Sequence, residues 1–235
     1  MTQQVRRVMV ITAHPDDAEF TVAGTVARWA RDGQEVIYVI CTDGSRGSNE
    51  PDIEPEALAI IRKEEQDAAA RVLGVKEVVY LDYEDGTLEP TLALRRDLTR
   101  AVRRYRPDAV ICSDPTVRYY GNDYLNHPDH RAAGDAALDA VFPSAGTRYI
   151  FPELLAEGLE PHDVKEVYIH GHLTPNHWVD ITETIERKIE ALKQHKSQVG
   201  GWEDLAEGIR AWAKEAGTGQ SMAFAESYKR IVLGE

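Results

Sequence analysis

Short apolar runs rich in β-branched residues alternate along this chain with segments of helical periodicity, and that alternation restricts the fold more than any other feature. The runs are Val8 to Ala13, Glu35 to Cys41, Glu77 to Leu81, Ala109 to Cys112 and Val164 to Ile169. Apolar runs of this length read as buried strands. Between them, Phe20 to Arg31 places Val22, Val26 and Trp29 at helical spacing. Pro55 to Leu73 is long and Ala-rich, with Gly74 as a C-terminal stop. Leu92 to Tyr105 ends before Arg106-Pro107, where proline disfavours continuation. Asp129 to Val141, Thr182 to His195 and Trp202 to Ala216 complete the helical set. Strand–helix alternation predicts a doubly wound α/β fold, a mainly parallel sheet with helices on both faces. Residues 1–235 are expected to form one domain, with about 196–235 as a C-terminal helical extension. A chain of 235 residues buries a substantial core without disulfide or metal staples.

The formal net charge of -13 sets the chain against phosphate backbones and anionic lipid at long range. Neither nucleic acid nor membrane is expected as a partner. Cys41 and Cys112 form no CxxC pair and read as small buried hydrophobes. The apolar run after Arg6 and Arg7 stops by Ala13, too short for a secretory signal core. No run approaches the ~18 apolar residues of a membrane span. A cytoplasmic protein is expected.

Two histidine–aspartate clusters sit where such a sheet binds ligands. His14-Pro15-Asp16-Asp17 follows the first strand, and His127-Pro128-Asp129-His130 follows the loop after the fourth. Carboxyl ends of parallel strands share one edge, so the clusters are expected to meet there. Catalytic zinc takes three protein ligands and leaves a position for water, which two His and one carboxylate satisfy. Fe(II) accepts the same set. If a helix starts near Pro15, one turn brings Asp17 back toward His14 and leaves Asp16 free as a general base. Of His127 and His130, also three apart, one can bind metal while the other faces substrate. Taken singly, Asp16 or Asp129 reads more readily as an N-terminal helix cap. The pairing of two such clusters favours a metal site.

These motifs resemble the LmbE-like or PIG-L family of N-deacetylases. The resemblance rests on AHPDD at Ala13 to Asp17, Gly24-Thr25, and HPDHR at His127 to Arg131. TDGSRGS at Thr42 to Ser48, IRKEEQDAAARVLGV at Ile61 to Val75 and HKSQ at His195 to Gln198 add weaker matches. It implies a Rossmann-like fold and a zinc site acting on N-acetylglucosamine conjugates, among them glycosylphosphatidylinositol precursors and precursors of mycothiol and bacillithiol. By motif position it implies His14, Asp17 and His130 as metal ligands, Asp16 as base, His127 assisting the transition state and Asp129 supporting it. Arg46 falls where some relatives contact the sugar. The alternative is an amidase for a larger thiol-conjugate or other N-acyl substrate. A homo-oligomer is compatible with the family. Thr42 and Asp43 stand where bacillithiol-type relatives often carry an acidic residue, and Leu125 stands where mycothiol-type relatives place a tyrosine.

Other residues read more plainly. His162, His170, His172 and His177 scatter around the fifth strand, with a packed or solvated role expected. His195 suits a helix C-terminus. Glu64 and Glu65 read as a solvated face pairing with Arg62. Tyr119, Tyr120 and Trp178 are candidates to line a sugar site. A nucleotide-binding reading is disfavoured, because the turn after the first strand holds HPDD where a pyrophosphate needs glycines.

Overall fold

The computed structural model describes residues 6–234. The remaining positions of the expected 1–235 span, residues 1–5 and Glu235, lie outside the described residues. Five parallel strands occupy the positions of the five apolar runs: β1 (Arg7–Thr12), β2 (Glu35–Thr42), β3 (Glu77–Tyr83), β4 (Ala109–Ser113) and β7 (Glu166–His170). A short antiparallel hairpin, β5 (Tyr119–Tyr120) with β6 (Tyr124–Leu125), rises from the loop after β4. Two further strands, β8 (His177–Asp180) and β9 (Ala225–Val232), complete a seven-stranded sheet ordered β3-β2-β1-β4-β7-β9-β8, with β9 antiparallel to both neighbours.

Alternation along β1 divides the core between the two faces. Val8 and Val10 join one cluster with Val22, Val26, Ile185, Leu192 and Ile209. Met9 and Ile11 join the other with Leu94, Leu98, Val102, Ala133 and Ala136. Helices α1 (Asp17–Thr21), α2 (Ala23–Arg31), α7 (Ile185–Leu192) and α9 (Leu205–Gly217) therefore cover one face. Helices α4 (Leu92–Tyr105) and α5 (Pro128–Asp139) cover the other, and α3 (Pro55–Leu73) lies against α7 and β3. The segments α6 (Glu153–Ala156) and α8 (Lys196–Val199) are single turns. The sequence-predicted helix from Phe20 is two helices, because Val22 leaves helical geometry at φ -129°, ψ 3°. Proline opens both α3 and α5 at their first turn, and Gly74 ends α3 in the left-handed conformation.

The expected C-terminal helix is α9. After it the chain adds strand β9, which periodicity does not reveal. Its sequence AESYKRIV interleaves charged and apolar residues, and its buried Glu226 is compensated from other elements, as described below. No helix among the described residues is long and apolar enough to cross a membrane.

Candidate active site

Strand order reverses at β1, whose neighbours are β2 and β4, and the crevice between the β1 and β4 loops is where both histidine–aspartate clusters converge. The backbone turns sharply after β1. Asp16 sits at φ 103°, a left-handed conformation that a non-glycine residue rarely adopts. That turn starts α1 and folds Asp17 back, so that its Oδ2 accepts from the His14 N–H at 2.8 Å. On the other side, His127 and Pro128 open α5 and place His130 in its first turn. Ser113, at the end of β4, donates to the His130 carbonyl at 2.5 Å and ties that turn to the sheet.

The Asp17 carboxylate lies between two imidazoles. His130 Nε2 is 3.0 Å from Asp17 Oδ1, and His14 Nδ1 is 3.5 Å from Asp17 Oδ2. The outer nitrogens of both rings are held. His14 Nε2 meets Asp85 at 3.0 Å and Asp129 at 3.2 Å, while His130 Nδ1 meets Asn126 Oδ1 at 3.1 Å. Carboxylates or amide oxygens on the far nitrogen are the usual support of metal-binding histidines. Two sets of donor atoms come within 4.8 Å of one another: His14 with His127 and His130, and His14 with Asp85 and Asp129. The oxygens of the second set are already engaged by backbone N–H groups. Asp85 accepts from Arg46, and Asp129 from Gly86 at 2.7 Å and Leu88 at 3.2 Å. The Asp17 carboxylate, which also accepts from a backbone N–H, faces His14 Nδ1 and His130 Nε2 across the same crevice.

Burial opposes charge on His14, but Asp17 and the hydrogen bonds to Asp129, Asp17 and Asp85 outweigh it and hold the imidazole well above its usual range. His130 is raised in the same way against burial, chiefly by Asp17. Burial would also raise Asp17, yet His130 and His14 pull it well below the usual carboxylate range. Burial pushes the Asp16 carboxyl up to about 6, with Asp17 adding to the effect and Arg62 opposing it. Asp16 donates its N–H to Gln66 Oε1 at 2.9 Å and receives Arg62 Nη2 on Oδ2 at 3.1 Å.

His127 and Asp129 differ from the reading by motif. The Asp129 carboxylate stands 3.9 Å from His127 Nδ1 and contacts His14 instead, so it supports His14 rather than His127. His127 Nδ1 accepts from the Asp129 backbone N–H at 3.2 Å. Burial, followed by the charge on His14, outweighs the Asp129 carboxylate and lowers His127 below its usual range. With Nδ1 facing a backbone donor, Nε2 is the ring's donor position.

A cleft of about 600 Å³ opens over this centre. Arg46 lines it, with its guanidinium paired to Glu84. Tyr120 and Tyr124 line it too, whereas Tyr119 projects to solvent and Trp178 lines a separate depression with Trp29 and His177. His170 lines the cleft, and His172 is bonded to buried Asp114. His162 bonds the Pro107 carbonyl at 2.7 Å.

Three contributors escape the sequence. Asp85 follows β3 at the same carboxyl edge, so the rule that selected the loops after β1, β2 and β4 also selects it. Arg62 is not a surface partner of Glu64 and Glu65. It is buried and donates to Pro15 O at 2.6 Å, Gly44 O at 2.9 Å and Asp16, while Glu65 accepts from Ser197. The signal was the stripe Leu58, Arg62, Gln66, Ala69, which shares one helix face. His195 is fully buried rather than at an exposed helix end. Its Nε2 meets Glu19 Oε2 at 3.2 Å, and Gln66 joins Glu19 to the Asp16 backbone.

Fold and site together define a metal-dependent deacetylase of the PIG-L class. Residues 9–141 match the family described as PIG-L, GlcNAc-PI de-N-acetylase, and the chain belongs to it. A diacetylchitobiose deacetylase of Thermococcus kodakarensis is 35% identical over 194 residues, covering 83% of this chain and 70% of that one. A probable N-acetyl-alpha-D-glucosaminyl L-malate deacetylase of Bacillus anthracis is 30% identical, covering 82% and 81%. The solved N,N'-diacetylchitobiose deacetylase of Pyrococcus horikoshii superposes with a TM-score of 0.89 at 32% identity, over 97% of this chain and 85% of that one.

Proposed function

We propose that this protein hydrolyses the acetamido group of an N-acetylglucosamine-type sugar or conjugate, releasing acetate and the free amine, with zinc as the divalent ion. The single observation that carries the reading is the Asp17 carboxylate facing His14 Nδ1 and His130 Nε2, with both rings pinned from behind and a second carboxylate, Asp16, adjacent in sequence and paired with Arg62. Family membership and the named activities of the relatives support the substrate class.

His14, Asp17 and His130 would hold the ion, which when bound supplies Lewis acidity toward the amide carbonyl and the attacking water. Asp16 takes the proton of that water. Its burial raises its basicity toward neutral pH, which is where a general base is most effective, and Arg62 keeps it ionised. His127 Nε2–H donates to the oxygen on which negative charge develops, as a neutral donor rather than an imidazolium. Protonated Asp16 then returns its proton to the leaving amine. Asp129 and Asp85 orient His14, and Arg46 and the tyrosines border the space for the sugar.

The test is acetate release from N-acetylglucosamine, its disaccharide and its glycosides by metal-stripped protein reloaded with zinc or Fe(II). Restored activity with about one ion per chain is the expected result. Activity independent of metal, or hydrolysis confined to larger N-acyl thiol conjugates, would overturn the reading.

A further inference from the structure

The cleft does not end at the metal-binding crevice. It continues along the carboxyl edge of the sheet past β7 to the start of β9, and helix α9 forms its far wall. His170 occupies the middle of this path, within the fields of Asp17 and His130 on one side and of Glu226 and Lys188 on the other. Its Nε2 is buried without a partner. Beyond it the wall is made by Phe20, Ile209, Trp212, Ala213 and Ala216. Trp212 is 53% exposed, which for a tryptophan lining a cleft leaves a broad apolar face open. Trp202 braces it from behind, at a ring separation of 5.9 Å from Trp212 and 6.2 Å from Phe20.

Polar atoms near this wall are mostly committed elsewhere. Lys188 Nζ bonds Glu226 at 2.6 Å, and Glu226 also receives the N–H groups of Gly24 at 2.9 Å and Thr25 at 2.7 Å. Thr21 donates to the Asp17 carbonyl at 2.6 Å. A second sugar ring placed here would find few partners for its hydroxyls, and burying them unpaired is unfavourable. An apolar group loses nothing. The order of features along the cleft also matters. A long acyl chain starting from the reacting carbonyl would have to pass the unpartnered His170 Nε2, which suits a hydroxyl rather than a methylene.

We infer that the amino sugar lies over His170 and that the wall around Trp212 receives an apolar aglycone, so that the substrates of this enzyme are N-acetyl amino sugars bearing an aryl or alkyl group. This rests on the deacetylase reading above and specifies the substrate class for the same cleft. Trp212 contributes binding surface, away from the reacting atoms.

The experiment compares kcat/KM for release of the free amine from methyl, hexyl and phenyl glycosides of N-acetylglucosamine, and from N-butyryl and N-octanoyl glucosamine, using zinc-loaded protein. The hexyl and phenyl glycosides should exceed the methyl glycoside by about ten-fold or more, mainly through KM. Trp212→Ala should bring that ratio close to one, and Ala216→Leu, which fills the same wall, should do the same. Trp212→Phe should keep most of it. Equal values for methyl and hexyl glycosides, or a ratio that survives both Trp212→Ala and Ala216→Leu, would overturn the inference. A preference for the longer N-acyl groups would overturn it in favour of an acyl-chain pocket. Absence of acetate release from every sugar would refute the deacetylase reading itself, and the inference with it.

Discussion

Gly134 is the position at which packing most directly governs the geometry of the reacting centre. It lies on α5, and a Cβ there would fall well inside van der Waals contact of the Ser113 carbonyl oxygen, 3.1 Å from its Oγ and 3.2 Å from its carbonyl carbon. Strand β4 cannot yield, because β1 and β7 hold it on both sides. In Gly134→Ala the helix must therefore withdraw by on the order of 1 Å to restore ordinary separation. Removing glycine from a helix interior stabilises by about 1 kcal/mol, while overpacking costs about 1–3 kcal/mol, so the net loss of stability should be small. The effect on function should be larger. His130 rides on the first turn of α5, and Ser113 holds its carbonyl. A displacement of ~1 Å at a reacting centre costs about 100-fold in rate. The assay is zinc affinity by chelator competition, with kcat/KM and the melting temperature measured on the same preparations. Gly208→Ala is the control, since its Cβ would sit 3.5 Å from the Trp202 ring in ordinary contact. If Gly134→Ala retains wild-type zinc affinity and kcat/KM within about two-fold, α5 absorbs the methyl without moving His130, and the argument fails.

Three further outcomes follow from the buried charges. Asp16→Asn should keep its metal and lose about 10²–10⁴-fold in rate. Wild-type kcat/KM should fall as pH drops through an acid limb at or below about 6, because the base must be deprotonated and bound metal only lowers its pKa. Asp16→Asn emptying of metal would make Asp16 a ligand instead. Arg62→Met removes the cation that opposes the rise of Asp16, so the acid limb should move up by about 1–3 units; a limb that stays in place shows that Arg62 does not hold Asp16 ionised. Burial pushes the His170 imidazole down to about 4. The unfolded chain therefore binds the extra proton first, and stability should decline as pH falls from about 6.5 to about 4, by at most about 3 kcal/mol. Urea midpoints of metal-stripped wild type and His170→Asn, compared across that interval, should converge at low pH; parallel curves would exclude His170 as the source.

The parts of this molecule that depend on local pattern were legible in the sequence. Four buried strands and the half-buried edge strand β3 announce themselves because parallel strands covered on both faces need apolar runs, and His14, Asp16, Asp17, His127 and His130 fall at the strand ends where the topology gathers loops. Residues whose meaning is set by a distant partner were not. Arg62 looks like a surface helix residue until Pro15, Gly44 and Asp16 are brought against it. Nothing in the sequence links Glu19 to His195 until the fold buries them together. Strand β9 hides for the same reason, since Glu226 is tolerable in a sheet interior only because Lys188 and the amides of α2 meet it. Asp129 is misleading in another way: its neighbour in sequence is His127, but its carboxylate turns to His14.

The interior place of β9 also bears on the order in which the molecule is made. Strand β8 is attached to the sheet through β9 alone, yet β9 leaves the ribosome after every other strand of the described residues. During synthesis β1, β2, β3, β4 and β7 can dock in succession with α5, and the His14–Asp17–His130 crevice can capture its ion. The β8 segment must wait with its pairing groups unfilled until β9 slides in beside β7, and such long-range pairing is slow. Stalled or truncated chains ending before Ala225 should therefore hold metal but lack the Trp212 wall in its final position, and their unsealed β7 edge is the surface most in need of a chaperone.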